Sequence, residues 1–241
     1  MLTEKQERNL IDRFVENYLI KEAAMDTFSL ENLSKIRSFA GKLKYCKEQL
    51  GMPIGGGTSR IVFQIDDEKV LKLAKNPKGL AQNEQEEREY CRMFDSVLAR
   101  VYEHAEDYSW IVAEYVLPAQ TSDFKHVTGM SFKEFCDALK MMYNNYCSPL
   151  TRRYDFNKPI EDEGAFWDKI YDHEWLTEIN DFLCNTQYFG IGDLLRIANW
   201  GLSQRDGEDV LVILDNGLSE EVYRTHYDKH KPKPAFNPWR W

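Results

Sequence analysis

The stretch that most limits what this chain can fold into runs from Asp193 to Gly217. Its middle dipeptide, Asp206-Gly207, is a strong signal for a two-residue hairpin turn, because both residues tolerate positive φ. An apolar run, Val210 to Leu214, follows the turn and ends on Asp215-Asn216-Gly217. Asp193 and Asn199 precede the first strand in what reads as a polar loop. Loop, strand, turn and strand then bring Asp193, Asn199 and Asp215 towards one mouth. Carboxylate and amide oxygens gathered there suit Mg²⁺, a hard cation that takes few protein oxygens together with phosphate.

The remainder of the chain reads as globular. Of 241 residues, 43% are hydrophobic and 13% aromatic, enough for a sizeable core. A net charge of -9 argues against an extended nucleic-acid surface. The five cysteines are scattered and form no CxxC pair, which fits a reduced, cytoplasmic setting. The polar start reads as no signal peptide, and no apolar run is long enough to span a membrane.

Helical spacing of Leu10, Ile11, Phe14, Val15, Tyr18 and Leu19 predicts a helix over 3–25. A second helix is expected to start at the Ser29 cap and to end at Gly51 and Pro53. Next comes Gly55-Gly56-Gly57-Thr58-Ser59-Arg60, then a strand from Ile61, an acidic turn at Asp66-Asp67, and the strand Lys69 to Ala74. Glycines let a backbone approach a ligand closely. Lys72 stands among Val70, Leu71, Leu73 and Ala74, so its ammonium needs either a route to water or a partner. The acidic run that follows offers one. Glu86 shares a helix face with Tyr90 and is expected to turn inward, with Glu87 and Glu89 as alternatives.

Two strands are predicted over about 98–105 and 108–116, with Pro118 stopping the pairing and opening a helical region. That region starts with a capping box, Ser131 and Glu134. A further helix is expected over 163–186. His226 and His230 read as part of a solvated tail rather than a metal site. The expected domains are a helical hairpin at 1–52, a sheet-rich lobe at 53–117 and a reduced helical lobe at 118–241.

Taken in order, these features resemble the protein-kinase-like fold over about 54–219, and are closer to compact bacterial and bacteriophage members than to eukaryotic protein kinases. The resemblance implies a two-lobed α+β fold: a small antiparallel sheet lobe and a helical lobe, behind an N-terminal helical hairpin. It implies ATP and Mg²⁺ as cofactors. Gly55 and Gly57 match the phosphate-covering loop, with Arg60 at the third glycine position. Lys72 would hold the α- and β-phosphates, with Glu86 as its ion-pair partner. Glu114 and Val116 would offer hinge backbone to the adenine. Asp193 would act on the acceptor hydroxyl, while Asn199 and Asp215 would ligate the metal. Besides Arg60, the match departs from the family at Asn216, which stands for Phe in the metal motif, and around Asp193. There the Asp193–Asn199 gap is six residues rather than five, Ile191-Gly192 stands for His-Arg, and Leu195 stands for a common lysine. Two functions stay open at this point. One is an ATP-dependent phosphotransferase with an unidentified acceptor. The other is a pseudokinase acting as a binding or assembly protein, for example in a phage.

Overall fold

A computed structural model describes residues 28–88, 93–146, 163–186 and 191–228. The expected first helix, Tyr90, Cys91, Cys147 and the tail with His230 lie outside the described residues. The chain divides into two compact units. One takes its described residues from Met1–Leu80 and Glu103–Tyr115, the other from Ala81–Tyr102 and Val116–Trp241. The architecture is α+β, as the sequence predicts. The order of glycine turn, lysine strand, glutamate helix, antiparallel strands and helical remainder is the order that the resemblance implies.

In the first unit, the expected helix from Ser29 to Gly51 is two helices, α1 (Leu30–Lys35) and α2 (Phe39–Leu50). Ile36 leaves the helix with extended backbone, and Ser38 caps a new start by accepting from the Gly41 amide at 3.1 Å. Ser29 caps α1 through the Asn32 amide, and Gly51 ends α2 with φ 82°. A second serine two residues past Ile36 thus restarts the helix in a new direction, which the apolar stripe alone does not reveal.

The strands of this region are β1 (Gly55–Gly56), β2 (Arg60–Gln64), β3 (Lys69–Ala74), β4 (Val101–His104) and β5 (Trp110–Glu114), in the order β1-β2-β3-β5-β4. Side chains alternate across the sheet. Phe63, Leu71, Leu73, Trp110 and Val112 pack with Leu33 of α1 and Cys46 of α2 in one core. Burial in that core pushes the Cys46 thiol up to about 12, so it is inert as a nucleophile. Lys42 of α2 is 4% exposed. Its ammonium reaches the β4–β5 turn, donating to Ser109 Oγ and standing 4.0 Å from Asp107.

Helix α3 (Pro77–Glu87) begins with Asn76 as cap and proline at the first position. Asn76 Oδ1 accepts from the amides of Lys78 at 3.1 Å and Gly79 at 3.3 Å.

The second unit holds a three-stranded sheet of β6 (Leu117–Pro118), β7 (Trp200–Arg205) and β8 (Glu208–Ile213). Pro118 does not stop the pairing. It lies within β6, opposite Gly201, at a sheet edge where the missing N–H costs no ladder bond. The β7–β8 turn is Asp206-Gly207, with φ 53° and 87°, as the dipeptide predicts. The helices are α4 (Thr121–Thr128), α5 (Phe132–Tyr146), α6 (Glu163–Tyr171), α7 (Glu174–Thr186), the single turn α8 (Ile191–Leu194) and α9 (Glu220–His226). The Ser131–Glu134 capping box is present, with the Ser131 amide 2.7 Å from Glu134 Oε2.

The expected helix over 163–186 is broken at Asp172-His173. His173 Nδ1 accepts from the Leu176 amide at 3.4 Å, and Nε2 donates to the Val127 carbonyl at 2.8 Å. An imidazole placed this way caps α7 and ties it to the end of α4. Phe124, Phe135, Trp175 and Trp200 form the aromatic centre of this unit's core, with ring centroids 5.2–6.1 Å apart. Each such pair adds about 0.5–1.5 kcal/mol beyond area burial.

Candidate functional site

The first unit supplies the glycine turn and Lys72. In the antiparallel ladder Gly55 lies opposite Val62, Val62 opposite Lys72, and Lys72 opposite Ile111. Directly opposed residues share a face. The Lys72 side chain therefore leaves the sheet on the face opposite the α1–α2 core. It is 7% exposed.

The glycines of the turn differ from one another. A Cβ on Gly55 or on Gly57 would meet nothing within 4 Å. A Cβ on Gly56 would sit 3.1 Å from the Arg60 carbonyl oxygen and 3.2 Å from Ile61 Cα. Arg60, at the third glycine position, is buried. Glu114 pairs with Lys69 in the ladder, and the chain passes from one unit to the other between Tyr115 and Val116.

The second unit supplies the remaining candidates, and here hydrogen bonds join Asn199 to Asp193 and to Leu214, the residue before Asp215. Asp193 lies in the one-turn helix α8 rather than in a loop. Asn199 ends a 3-10 turn, Ile197–Asn199, just before β7. Asn199 Nδ2 donates to the Asp193 carbonyl at 2.8 Å, and its own carbonyl accepts from the Leu214 amide at 2.9 Å. One residue thus binds the Asp193 turn to the strand end that carries Asp215. Asn199 has its amide nitrogen committed to Asp193, which directs Oδ1, the acceptor end, elsewhere. The six-residue gap is taken up by helical turns, with the Arg196 amide on the Asp193 carbonyl at 3.0 Å and the Asn199 amide on the Arg196 carbonyl at 3.1 Å. Arg196 Nη1 also stands 3.7 Å from Asp193 Oδ1.

Asp215-Asn216-Gly217 is half-buried to buried and turns on itself, the Gly217 amide donating to Asp215 Oδ1 at 3.3 Å. Gly217 is there because nothing larger fits. A Cβ would lie 2.8 Å from Gln82 Cβ and 2.9 Å from the Gln82 carbonyl oxygen on α3. Glu86 is one helical turn further along α3 and is 4% exposed, whereas Glu84 faces water. It lines a small cavity of about 210 Å³ with Asp95, Leu98, Arg100 and Tyr102. Gln82 Nε2 donates to Tyr227 Oη at 3.3 Å, and Arg88 pairs with Glu221 at 3.1 Å, so α9 holds the same helix.

A second cavity, of about 810 Å³, opens beside the Asp206-Gly207 turn and contains none of the predicted residues. Its wall includes Glu178, which accepts from Ser96 Oγ. Burial, reinforced by Glu174, Asp95 and Asp181, raises the Glu178 carboxyl above its ordinary value. Sequence reasoning passed over this group, and also over Lys75 and Asn76, whose side chains reach back to the glycine turn. Asn-Pro ahead of a helical pattern was the signal available for Asn76. Among the described residues, no three His, Cys, Asp or Glu side chains converge as a metal cluster. None of the described helices is long and apolar enough to cross a membrane.

No family model matches the chain, and no curated protein matches it. Among solved structures it is similar to the GDP and kanamycin complex of APH(2")-IIia, an aminoglycoside phosphotransferase. The two are 10% identical over 70% of this chain and 67% of that one, with a TM-score of 0.34.

Proposed function

We propose that this chain is a kinase-like protein that binds ATP with Mg²⁺. The observation that carries the reading is the Asn199 bridge. Its side-chain Nδ2 donates to the Asp193 main-chain carbonyl, and its main-chain carbonyl accepts from the amide of Leu214, the residue before Asp215. The donor set fits the metal: Asp215 and the Asn199 Oδ1 are hard oxygens, and Mg²⁺ is held by one or two carboxylates with phosphates completing its shell. In this reading Asp215 and Asn199 hold the ion, Lys72 holds the α- and β-phosphates, and Glu86 orients the lysine. Gly55 and Gly57 cover the phosphates, while Glu114 and Val116 offer backbone to the base. Bound Mg²⁺ would supply charge neutralisation at the phosphates, which is most of what such a site needs. Asp193 is the group for the acceptor hydroxyl, and phosphoryl transfer is the activity proposed. Leu195, in place of a lysine, favours the second reading, a pseudokinase that binds nucleotide without transferring phosphate.

The test is thermal unfolding with and without ATP and Mg²⁺, on wild type and on Asp215→Ala. A ligand at 100 times its Kd stabilises the fold that binds it by about 2.7 kcal/mol. The expected result is a shift in wild type that is lost in Asp215→Ala. No shift in wild type would overturn the nucleotide reading. A shift without phosphate release or transfer would select the pseudokinase.

A further inference from the structure

We infer that Lys75 and Asn76 are positioning residues that fix the glycine turn so that the Thr58 amide meets a phosphate chain. The inference rests on the nucleotide reading above. It starts from three consecutive carbonyls. The Gly57 carbonyl accepts from Lys75 Nζ at 2.7 Å, the Thr58 carbonyl from Asn76 Nδ2 at 3.0 Å, and the Ser59 carbonyl from the Lys75 amide at 2.8 Å. Each bond comes from the two residues that link β3 to α3.

A trans peptide is planar, with its C=O and the following N–H pointing in opposite directions. The described peptides are all trans. Holding the Gly57 and Thr58 carbonyls towards Lys75 and Asn76 therefore aims the Thr58 and Ser59 amides the other way. A backbone amide turned outward can donate to an anion's oxygen. Gly57 and Thr58 are exposed and Ser59 is buried, so Thr58 presents the amide that a ligand can reach.

Asn76 is held in turn. Its Oδ1 caps α3 through the Lys78 and Gly79 amides while its Nδ2 holds Thr58. Gly79 lets the helix come this close, since a Cβ there would be 2.3 Å from the Ser59 carbonyl oxygen. The turn is thus set before any ligand arrives, and ordering it costs binding less than ordering a free loop would. Glycines give the turn its open surface, and Lys75 and Asn76 give it its direction.

The experiment is calorimetric titration of ATP with Mg²⁺, and of adenosine, into wild type, Asn76→Ser, Lys75→Met and Lys75→Arg, with melting curves for each. Serine caps a helix as well as asparagine does but is too short to reach Thr58, and it adds no charge. Each of Asn76→Ser and Lys75→Met is expected to weaken ATP about tenfold, the scale of one hydrogen bond serving a charged group. Lys75→Arg should retain ATP binding, adenosine binding should be unchanged throughout, and the melting curves should match wild type. Wild-type ATP affinity in Asn76→Ser and Lys75→Met would overturn the inference and leave the nucleotide reading standing. Equal weakening of adenosine would overturn it as well, since the loss would not be at the phosphates. Absence of ATP binding in wild type would overturn both.

Discussion

Replacing Gly57 by alanine separates a structural glycine from a ligand-facing one. The space where its Cβ would stand is empty to 4 Å, and the residue does not have positive φ. The folded state therefore accepts the methyl group without strain. The unfolded chain loses freedom, so stability is expected to hold or to rise by about 0.4–1 kcal/mol. Gly55 satisfies the same two conditions. Gly56 does not, because its Cβ would press on the backbone of Arg60 and Ile61 at 3.1 and 3.2 Å. Gly56→Ala should lower the melting temperature, with a cost of about 1–3 kcal/mol for overpacking.

On ligand binding the order reverses. A methyl group at Gly57 stands on the exposed side of the turn, where a phosphate would have to approach the backbone. Losing one loop amide to a charged oxygen costs about 1.5–3 kcal/mol, or roughly ten- to a hundredfold in Kd. The assay is a melting curve and an ATP titration for Gly55→Ala, Gly56→Ala and Gly57→Ala. The expected pattern is unchanged or raised melting with weakened ATP for Gly55→Ala and Gly57→Ala. ATP affinity equal to wild type in both would refute the assignment of this turn to phosphate, since nothing in the fold itself requires glycine at those two positions.

Two further predictions concern the second unit. The Glu178 carboxyl is raised by burial and by Glu174, Asp95 and Asp181, so the folded state takes up its proton more readily than the unfolded chain does. The charged form therefore opposes folding, and stability falls as pH rises from the ordinary carboxyl value of 4.5 through the raised one. Glu178→Gln should melt higher than wild type at pH 7, with the difference closing on acidification towards pH 4.5. A constant difference across that range would remove titration of this group as the cause. Gly217→Ala forces a methyl group to 2.8 Å from Gln82 Cβ, and should cost about 1–3 kcal/mol in a denaturant melt by prising the Asp215 turn from α3.

What the sequence makes legible here is what is encoded locally. The caps at Ser29 and Ser131 and the turn at Asp206-Gly207 each depend on residues within three or four positions, and each is present. The break at Ile36 is local too, since Ser38 caps the restart through the Gly41 amide, but the break at His173 is not. His173 ends one helix and starts another partly by binding Val127, 46 residues earlier, and no periodicity in 163–186 carries that information. Helix α4 was missed because its start is capped by Gln120 and Asp123, the Gln120 amide donating to the carboxylate at 2.7 Å, and glutamine is not a preferred cap residue.

The candidate site divides along the same line. Alternation along β3 is enough to put Lys72 on the face away from Leu71 and Leu73, and i,i+4 spacing is enough to turn Glu86 inward. Spacing fails at Asp193 to Asn199, where a six-residue gap has no reading until the chain is seen to coil. Once it coils, Asn199 reaches back to the Asp193 carbonyl and forward to Leu214. Asn199 therefore ties the Asp193 turn to the strand end that leads into Asp215. Removing its side chain would release the Asp193 turn while leaving the Leu214 bond, which is made by the main chain. Loss at Asn199 should accordingly disturb Asp193 more than Asp215.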